Sequence, residues 1–405
     1  MTRTSVFTTS FTAQDDVRGV VVVDSILNGT SSGGVRITPD VDEREVAALA
    51  AEMTYKYSFF GLPRGGAKCG ITMPAALQGP QKLAALEDVG RHLAPLIRAN
   101  IYNPGMDMNC GPDDLRAIYR GAGITLGRLT DTSLYTAVFA ANAVIACRNV
   151  MQGQDAPPTT IAIEGFGNVA THLVQLLPQK DFRIIAVSTA SGAVVNEQGL
   201  NIDELLTMRA KHGDALTAHV AGTQLTPKEA LLHLDVDILI PAARVGSIDA
   251  DNVAGVQAKH IVPAANAPCT PAALDNLFER GVTVLPGFVC NAGGVLGSSL
   301  FDRGVPHAQV QDIAAGPYRN VIETLLRQCL RTGQSAGELA TAVAEARYQR
   351  AATRTASMNF SDRLKRLVIR KFAYRIPKVR RWLEGDVAAV CIVDLTALAD
   401  ELASL

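Results

Sequence analysis

Charge of one sign and long apolar runs are both scarce in this sequence. Charged residues make up 19% of its 405 residues, and the formal net charge at pH 7 is −1. This balance argues against binding to nucleic acid or to an acidic surface. No uninterrupted run reaches the length of about 18 apolar residues that a membrane-spanning helix needs. Residues 1–16 lack the apolar core and the cleavage site of a signal peptide, so we expect a cytoplasmic protein with no membrane partner.

Cysteine and histidine are present, but not in the spacings that build disulfide frameworks or metal sites. The seven cysteines are odd in number and widely scattered, and no two of them have CxxC spacing. This pattern excludes a disulfide framework and a structural zinc site. The seven histidines form neither an HxxxH nor an HExxH pattern, so we expect no metal.

Length and composition indicate a globular protein of two domains. Apolar residues make up 48% of the chain, and 405 residues exceed the roughly 100–200 that one ordinary domain accounts for. In the first third, β-branched runs at 17–23 and 33–37 predict strands. Apolar residues with helical spacing predict one helix after Asp42 and another over 81–98.

The second part of the chain has a different rhythm. A helix predicted over 133–150 leads to a turn at 153–158 and then to a series of short strands. These strands are predicted at 159–164, 182–188, 236–241, 260–263 and 282–285. From Asn291 onward the pattern is mostly helical. Strands that alternate with glycine turns and helices are typical of a doubly wound parallel sheet, so the predicted fold class is α/β.

The turn after the first of these strands has the form of a dinucleotide-binding turn. It reads Gly165-Phe166-Gly167-Asn168-Val169-Ala170, with a strand before it and a helix after it. The first two glycines permit a close approach to a pyrophosphate, and the helix N-terminus supplies free N–H groups. The next strand ends in Ser188-Thr189-Ala190-Ser191, without the carboxylate that binds a ribose 2′-hydroxyl. NAD and NADP both stay open, and the three hydroxyls favour NADP.

Two lysines twelve residues apart stand out in the first domain. Lys56 falls near the end of the first predicted helix, and Lys68 lies in the glycine-rich stretch 65–70, which we interpret as a turn. A lysine held in such a turn can be desolvated, which lowers its pKa; a surface lysine after a tight turn is the alternative. Asp107 lies between a short strand and a helix that opens at Pro112. We hypothesise that lysine and aspartate form an acid–base pair.

Taken together, these motifs resemble the glutamate/leucine/phenylalanine/valine dehydrogenase superfamily. The resemblance runs through GGVR at 33–36, MTYK at 53–56, LPRGGAKCGI at 62–71, PGMDMNC at 104–110, IEGFGNVA at 163–170, IPAA at 240–243, AANAPCT at 264–270 and VLPGFVCNAGGV at 284–295. It implies a substrate-binding and oligomerisation domain over 1–134, with the helices of 325–405 packing back on it. It also implies a Rossmann-type nucleotide domain over 135–324, a cleft between the two domains, and a homo-oligomer.

The resemblance implies reversible oxidative deamination of an L-amino acid to its 2-oxo acid and ammonia, with NAD or NADP as cofactor. By motif, Lys56 would bind the substrate α-carboxylate, Lys68 would activate the attacking water, and Asp107 would exchange protons with the substrate amine. Gly33 and Gly34 would bring backbone N–H groups to the carboxylate. The segments that hold the nicotinamide end or close the cleft would include Thr136, Asn168, Asn266 and Asn291, and Ala242 would belong to the cofactor site.

Departures from the family pattern bear on the substrate. Glutamate enzymes carry a lysine just before the glycine pair, where this chain has Ser32, and often a glutamine at the position of Met53. Without a cation, burying a second carboxylate is costly. Ser298 matches a hydroxyl of the glutamate enzymes and favours glutamate instead. The expected pocket of Ser32, Gly105, Val295 and Ser298 is roomy and uncharged, so we predict a non-acidic substrate, bulky and aromatic ones included, with glutamate as the alternative.

Other interpretations stay open beside the enzyme. A catalytically silent cofactor-binding regulatory protein is the alternative from another class, because a fold alone does not establish a function. The tract from Arg363 to Arg381 carries nine Lys or Arg residues. A solvated helix face at an oligomer or domain contact is favoured there over a nucleic-acid patch. Cys69 and Cys290 are expected near the cleft, and we interpret them as tolerated packing rather than as redox-active thiols.

Overall fold

The computed structural model describes residues 5–127, 129–152, 157–225, 227–357 and 387–405. The described chain divides into two units. The first unit ends at Thr130 and resumes at Ala344, and the second runs from Asp131 to Val343 and resumes at residue 387. The basic tract from Arg363 to Arg381 lies outside the described residues.

The first unit is a mixed sheet covered by helices. Its strands are β1 (Phe7–Thr12), β2 (Arg18–Val23), β3 (Ser31–Ile37), β4 (Gly65–Thr72) and β5 (Tyr102–Met106). Its helices before residue 130 are α1 (Glu43–Phe59), α2 (Gly79–Arg98) and α3 (Pro112–Gly121). The described strands lie in the order β1-β2-β4-β3-β5. β4 pairs antiparallel with β2 and parallel with β3, and β3 pairs parallel with β5.

Helix α1 begins where the sequence predicts, because its cap is encoded locally. The side chain of Asp42 accepts a hydrogen bond from the Glu45 N–H at 2.7 Å, which satisfies one of the free donors of the first turn. The buried face of α1, which includes Val46 and Leu49, packs on β4. This packing places the end of α1 beside the centre of the sheet.

The glycine-rich stretch 65–70 is part of the central strand β4, so its interpretation as a turn is wrong. β4 is buried along almost its whole length. A Cβ on Gly65 would lie 2.0 Å from the Ser25 carbonyl oxygen, and one on Gly66 would lie 2.2 Å from the Thr54 nitrogen. The glycines therefore allow neighbouring backbone to approach the strand closely, rather than allowing the chain to turn.

The second unit contains a sheet with the strand order of a dinucleotide-binding domain. Its strands are β6 (Thr159–Glu164), β7 (Phe182–Thr189), β8 (Gly192–Val195), β9 (Thr223–Leu225), β10 (Ile238–Pro241), β11 (His260–Ile261) and β12 (Thr283–Val284). The described strands lie in the order β12-β11-β10-β6-β7-β8-β9. β6 pairs in parallel with both β7 and β10. The chain order therefore reverses at β6, and ligands of such sheets bind outside the carboxyl ends of the strands at that point.

Helices surround this sheet and continue beyond it. They are α4 (Thr132–Met151), α5 (Asn168–Leu176), α6 (Ile202–His212), α7 (Pro271–Glu279), α8 (Gly287–Cys290), α9 (Leu296–Asp302), α10 (His307–Ile313), α11 (Arg319–Thr332), α12 (Ala336–Ala356) and α13 (Val387–Ala403). By length and composition α4 is apolar enough to cross a membrane, but 67% of its most apolar window is buried in the structure. The ring of Phe139 on α4 packs 4.6 Å from that of Tyr318, as expected of a core helix.

The C-terminal helices divide between the units, which differs from the predicted return of 325–405 to the first domain. α13 belongs to the second unit and buries Leu395, Leu398 and Leu402. Its last turn is tied to α11, because Gln328 Nε2 donates to a carbonyl of α13 at 2.7 Å. α12 belongs to the first unit from Ala344 onward. The apolar stripe of α13 accounts for the difference, since it is buried against α11.

Candidate active site

Asp107 lies just after β5 and is held by two cations. Lys68 Nζ lies 2.9 Å and Arg36 Nε 3.0 Å from its Oδ2 atom. Burial alone would raise the pKa of Asp107, but the charges and hydrogen bonds of Lys68 and Arg36 outweigh it and lower the pKa to about 2. The carboxylate is therefore ionised at physiological pH, with both cations on one of its two oxygens.

Arg36 belongs to this cluster, although the sequence analysis did not single it out. Its side chain is 5% exposed and lies on β3. It binds Asp107 through Nε and Glu45 through Nη1. β3 and β5 are parallel, and Val35 lies opposite Met106. The residues that follow these two are Arg36 and Asp107, so the strand pairing brings them side by side. The signal was available, because Arg36 is the last residue of the GGVR motif.

The two predicted lysines reach the cluster from β4 and from α1. Lys68 is 2% exposed and binds Asp107 directly. Lys56 is 5% exposed. Burial lowers the pKa of Lys56 to about 8, while the charge of Glu52 opposes this shift, Lys68 adds to it and Asp107 opposes it. The structure thus brings together the three ionisable residues that the sequence predicted.

The glycine pair before Arg36 makes room for neighbouring strands. A Cβ on Gly33 would lie 1.6 Å from the Ala67 carbonyl oxygen, and one on Gly34 would lie 2.7 Å from Asp107 Cβ. Gly105 is different, since the nearest atom to its Cβ would be 4.0 Å away. Gly34 therefore sets the distance between β3 and the carboxylate. The delivery of N–H groups by this pair to a substrate stays a prediction.

The residues predicted to form the substrate pocket lie in both units. In the first unit, the Ser32 hydroxyl donates to the Asn103 carbonyl at 2.9 Å, and Met53 is buried on α1. In the second unit, the Ser298 hydroxyl donates to the Gly294 carbonyl at 2.6 Å. Both serine protons are thus committed within the protein. Val295 directly precedes α9. That these residues line one substrate pocket stays a prediction.

The glycine turn of the second unit has the geometry of a phosphate cradle. Gly165 has a φ of +90°, in the left-handed region, and a Cβ there would lie 2.8 Å from that of Ala243. Its N–H donates to Ser188 Oγ at 3.1 Å. A Cβ on Gly167 would meet no atom within 4 Å, so space is open beside it. Gly167 caps α5 without a side-chain hydrogen bond, which leaves the helix N-terminus available to an anion.

The other residues of the predicted cofactor site surround this turn. Phe166 is buried, Val169 is half-buried and Asn168 is exposed at the first position of α5. The Ala242 N–H donates to the Glu164 carbonyl at 2.7 Å and joins the ends of β10 and β6. These contacts fit a dinucleotide whose pyrophosphate lies over the turn.

The hydroxyls at the end of β7 are mostly occupied within the protein. Ser188 accepts from Gly165, and Thr189 Oγ1 donates to the Asp214 carbonyl at 2.5 Å. Both side chains are buried, whereas Ser191 is exposed. The expectation that three hydroxyls would be available to a phosphate is therefore wrong, and Ser191 is the exposed one of the three.

Two asparagines of the predicted site are joined in the structure. Asn291 Nδ2 donates to Asn266 Oδ1 at 3.0 Å and to the Ala265 carbonyl at 2.9 Å. Asn291 is 4% exposed, and its Oδ1 atom has no hydrogen-bond partner. Thr136 is not hydrogen-bonded to this pair through its hydroxyl, which donates to the Thr132 carbonyl at 2.8 Å. Its Oγ1 would lie 2.8 Å from a Cβ on Gly294.

Both cysteines that the sequence placed near the cleft are packed inside the units. Cys69 and Cys290 are fully buried, and burial raises the pKa of both thiols above the ordinary value. A thiol of raised pKa is a poor nucleophile and is oxidised slowly. Both behave as packing residues in this structure.

Comparison with known families matches most of the chain. The family model of the Glu/Leu/Phe/Val dehydrogenase dimerisation domain matches residues 2–122, and that of the Glutamate/Leucine/Phenylalanine/Valine dehydrogenases matches residues 123–312. The boundary between the two matches lies close to the boundary between the two units.

Individual relatives agree with this assignment. The chain is 34% identical over 298 residues to glutamate dehydrogenase of Thermotoga maritima, which covers 68% of this chain and 70% of that protein. It is 33% identical over 283 residues to NADP-specific glutamate dehydrogenase A1 of Halobacterium salinarum, covering 66% of this chain and 67% of that protein. A hetero-hexameric glutamate dehydrogenase structure from Thermus thermophilus, in its Leu-bound form, matches with a TM-score of 0.75 at 25% identity, covering 88% of this chain and 91% of that chain. This protein therefore belongs to the Glu/Leu/Phe/Val dehydrogenase family of oxidoreductases, the amino-acid dehydrogenases that act on CH–NH2 donors.

Proposed function

We propose that this protein oxidatively deaminates a non-acidic L-amino acid, and that the cluster of Lys56, Lys68, Arg36 and Asp107 performs the chemistry of the substrate. The observation that carries the proposal is the assembly of two cations on one oxygen of Asp107, with a buried lysine of lowered pKa beside them. The nicotinamide cofactor, when bound, accepts the hydride that leaves the substrate Cα.

Lys56 is suited to anchor the α-carboxylate. A buried ammonium has lost its hydration, so a carboxylate that pairs with it replaces solvation that water no longer supplies. With a pKa of about 8, the group is protonated in most molecules at pH 7. Charge pairing would raise its pKa again and fix the substrate by its carboxylate.

Lys68 and Asp107 are suited to move protons. The Nζ atom lies 2.9 Å from Oδ2, a distance over which a proton can pass between the two groups. Lys68 and Arg36 both contact Oδ2, so Oδ1 is the oxygen that would accept a proton from the substrate amine. Lys68, neutral after it releases its proton to solvent, would take a proton from the water that adds to the imino carbon. Asp107 would return the proton it took from the amine to the nitrogen of the carbinolamine, and ammonia would leave as the O–H proton is lost and the carbonyl forms.

Two hydroxyl contacts favour a non-acidic substrate. A distal carboxylate would need a cation, and the residue before the glycine pair is Ser32, whose proton is committed to the Asn103 carbonyl. Ser298 supported glutamate in the sequence, but its proton is committed to the Gly294 carbonyl. The names of the glutamate dehydrogenase relatives keep glutamate as the second candidate substrate.

The alternative of a catalytically silent regulatory protein is less favoured by the site. A protein that only binds cofactor has no need of a buried lysine, because burying its positive charge costs free energy of folding. Lys56, Lys68 and Asp107 are nevertheless all present in one cluster. We also propose a homo-oligomer, because residues 2–122 match the dimerisation domain of the family.

A substrate panel tests the proposal. Each L-amino acid is supplied with NAD⁺ and with NADP⁺, and the reverse reaction is followed with 2-oxo acids with and without ammonia. We expect oxidation of one or more neutral amino acids and a strict ammonia requirement in reverse. Preferential oxidation of L-glutamate would replace the substrate proposal, and no oxidation by a folded, cofactor-binding protein would support the silent alternative.

A further inference from the structure

A lysine distant in sequence reaches the end of β7, where the second phosphate of NADP would have to be recognised. Lys228 opens a 3₁₀ turn, Lys228–His233, and its Nζ donates to the Ala190 carbonyl at 2.7 Å. Ala190 directly follows β7, the strand whose end faces the adenosine ribose in this type of domain. The lysine is half-buried, so its stem is positioned by the protein.

The end of β7 carries no carboxylate of its own, although Asp214, which is paired with Arg209, lies next to Thr189 and Glu229 lies next to Lys228. It lacks the carboxylate that selects a 2′-hydroxyl, and the exposed residue after Ala190 is Ser191. An ammonium has three donors. One of them is used on the carbonyl of Ala190, the residue directly before Ser191, which leaves two for a phosphate.

Interactions with neighbouring charges indicate that Lys228 lies at the same end of the strands as the glycine turn. Burial raises the pKa of Glu164 at the end of β6, while Ser247 and Arg244 lower it, Glu229 raises it and Lys228 lowers it. Lys228 is therefore within electrostatic range of the residue that precedes Gly165. Arg244 follows β10, on the other side of β6 from β7. Of the two cations, Lys228 is the one bound beside the end of β7, although exposed Glu229 next to it opposes an anion.

We propose that Lys228, together with Ser191, binds the 2′-phosphate of NADP and gives this protein a preference for NADP over NAD. The inference rests on the cofactor site of the proposed function. The charge of the lysine would pair with the phosphate, and the bond to Ala190 would hold the ammonium at the ribose end of the site. A lysine that is already held in place loses little side-chain entropy when it binds a phosphate, which favours selectivity.

Binding of two cofactor fragments isolates this contact from catalysis. ADP-ribose and 2′-phospho-ADP-ribose differ only in the phosphate, and neither carries nicotinamide, so calorimetric dissociation constants report recognition without turnover. The full-length protein is compared with Lys228→Gln and Lys228→Arg. Lys180→Gln is the matched control, because Lys180 is exposed in the turn before β7 and therefore lies at the opposite end of that strand from Ala190. Ser191→Asp is a second test at an exposed site.

We expect the unaltered protein to bind 2′-phospho-ADP-ribose at least about tenfold more tightly than ADP-ribose, in the range of one charge-assisted contact. Lys228→Gln and Ser191→Asp should each remove this preference and leave ADP-ribose binding within about twofold, whereas Lys228→Arg and Lys180→Gln should retain it. A protein without the preference overturns the proposal, as does Lys228→Gln with the preference intact. Equal weakening of both fragments would show a structural role for Lys228 and also overturn it. The fragment preference does not depend on amino-acid oxidation, so failure of the substrate panel and failure of this proposal are distinguishable.

Discussion

Replacing Lys56 with methionine removes a buried cation and is expected to stabilise the substrate-free protein while it abolishes substrate binding. The pKa of Lys56 falls from 10.5 to about 8 on folding. Each unit of pKa corresponds to about 1.4 kcal/mol, so keeping the charge in the folded state costs about 3 kcal/mol at pH 7. Glu52 loses a neighbouring positive charge in the variant, which offsets part of the gain. We therefore expect Lys56→Met to gain about 1–3 kcal/mol in free energy of unfolding at pH 7.

The pH dependence gives this prediction a sign that ordinary packing effects do not share. The folded-state pKa is lowered, so the unfolded chain binds more protons between about pH 8 and pH 10.5. The contribution of Lys56 to the stability of the unaltered protein therefore rises with pH over this window, as the buried lysine becomes neutral. The advantage of Lys56→Met should be full below pH 8 and should shrink towards zero near pH 10.5.

Urea unfolding at pH 7 and at pH 10 measures both quantities, and steady-state kinetics measures the loss of substrate binding. Lys82→Met is the matched control, since Lys82 Nζ pairs with Asp114 at 2.8 Å and its side chain is 21% exposed. The control should lose about 0–1 kcal/mol, as is usual for such ion pairs. A Lys56→Met protein that is less stable than the unaltered protein at pH 7, or whose advantage does not change with pH, would refute the reasoning.

Two further substitutions test the geometry of the site and the basis of substrate choice. Gly34→Ala places a Cβ 2.7 Å from that of Asp107, so kcat should fall by about 100-fold through displacement of the carboxylate. Gly105→Ala, with its nearest atom at 4.0 Å, leaves Asp107 in place and should change KM more than kcat, because Gly105 belongs to the expected substrate pocket; equal losses of kcat in the two variants would contradict this. Ser32→Lys supplies the missing cation and should raise kcat/KM for L-glutamate relative to the best neutral amino acid by about tenfold, and an unchanged ratio would show that Ser32 does not set the substrate charge.

Local signals accounted for the parts of the fold that were predicted correctly. The start of α1 is encoded by Asp42, which caps it three residues away. The nucleotide turn is encoded by Gly165 and Gly167 between a predicted strand and a predicted helix. The structure contains the strand, the turn and the helix. Both signals act within a few residues, so one stretch of sequence contains the whole cause.

The parts that were wrong or missed depend on distant neighbours. The glycines of β4 were predicted to form a turn because glycine runs often do. In the structure they make room for the backbone of Ser25 and Thr54, which no local pattern reveals. Arg36 meets Asp107 across 71 residues through strand pairing. Lys228 meets Ala190 across 38 residues through a 3₁₀ turn. Register and tertiary packing decide such contacts, and residue type alone does not.

The most direct test of the central claim is the turnover of Lys68→Ala with the preferred amino acid, measured as initial formation of reduced cofactor. The same preparation is used to measure cofactor binding. We expect turnover to fall by about 10²–10⁴-fold, since proton transfer in the substrate step is lost, and cofactor binding to stay within about twofold. A variant that retains more than about a tenth of the turnover would contradict the assignment of Lys68 as the group that moves the proton at Asp107.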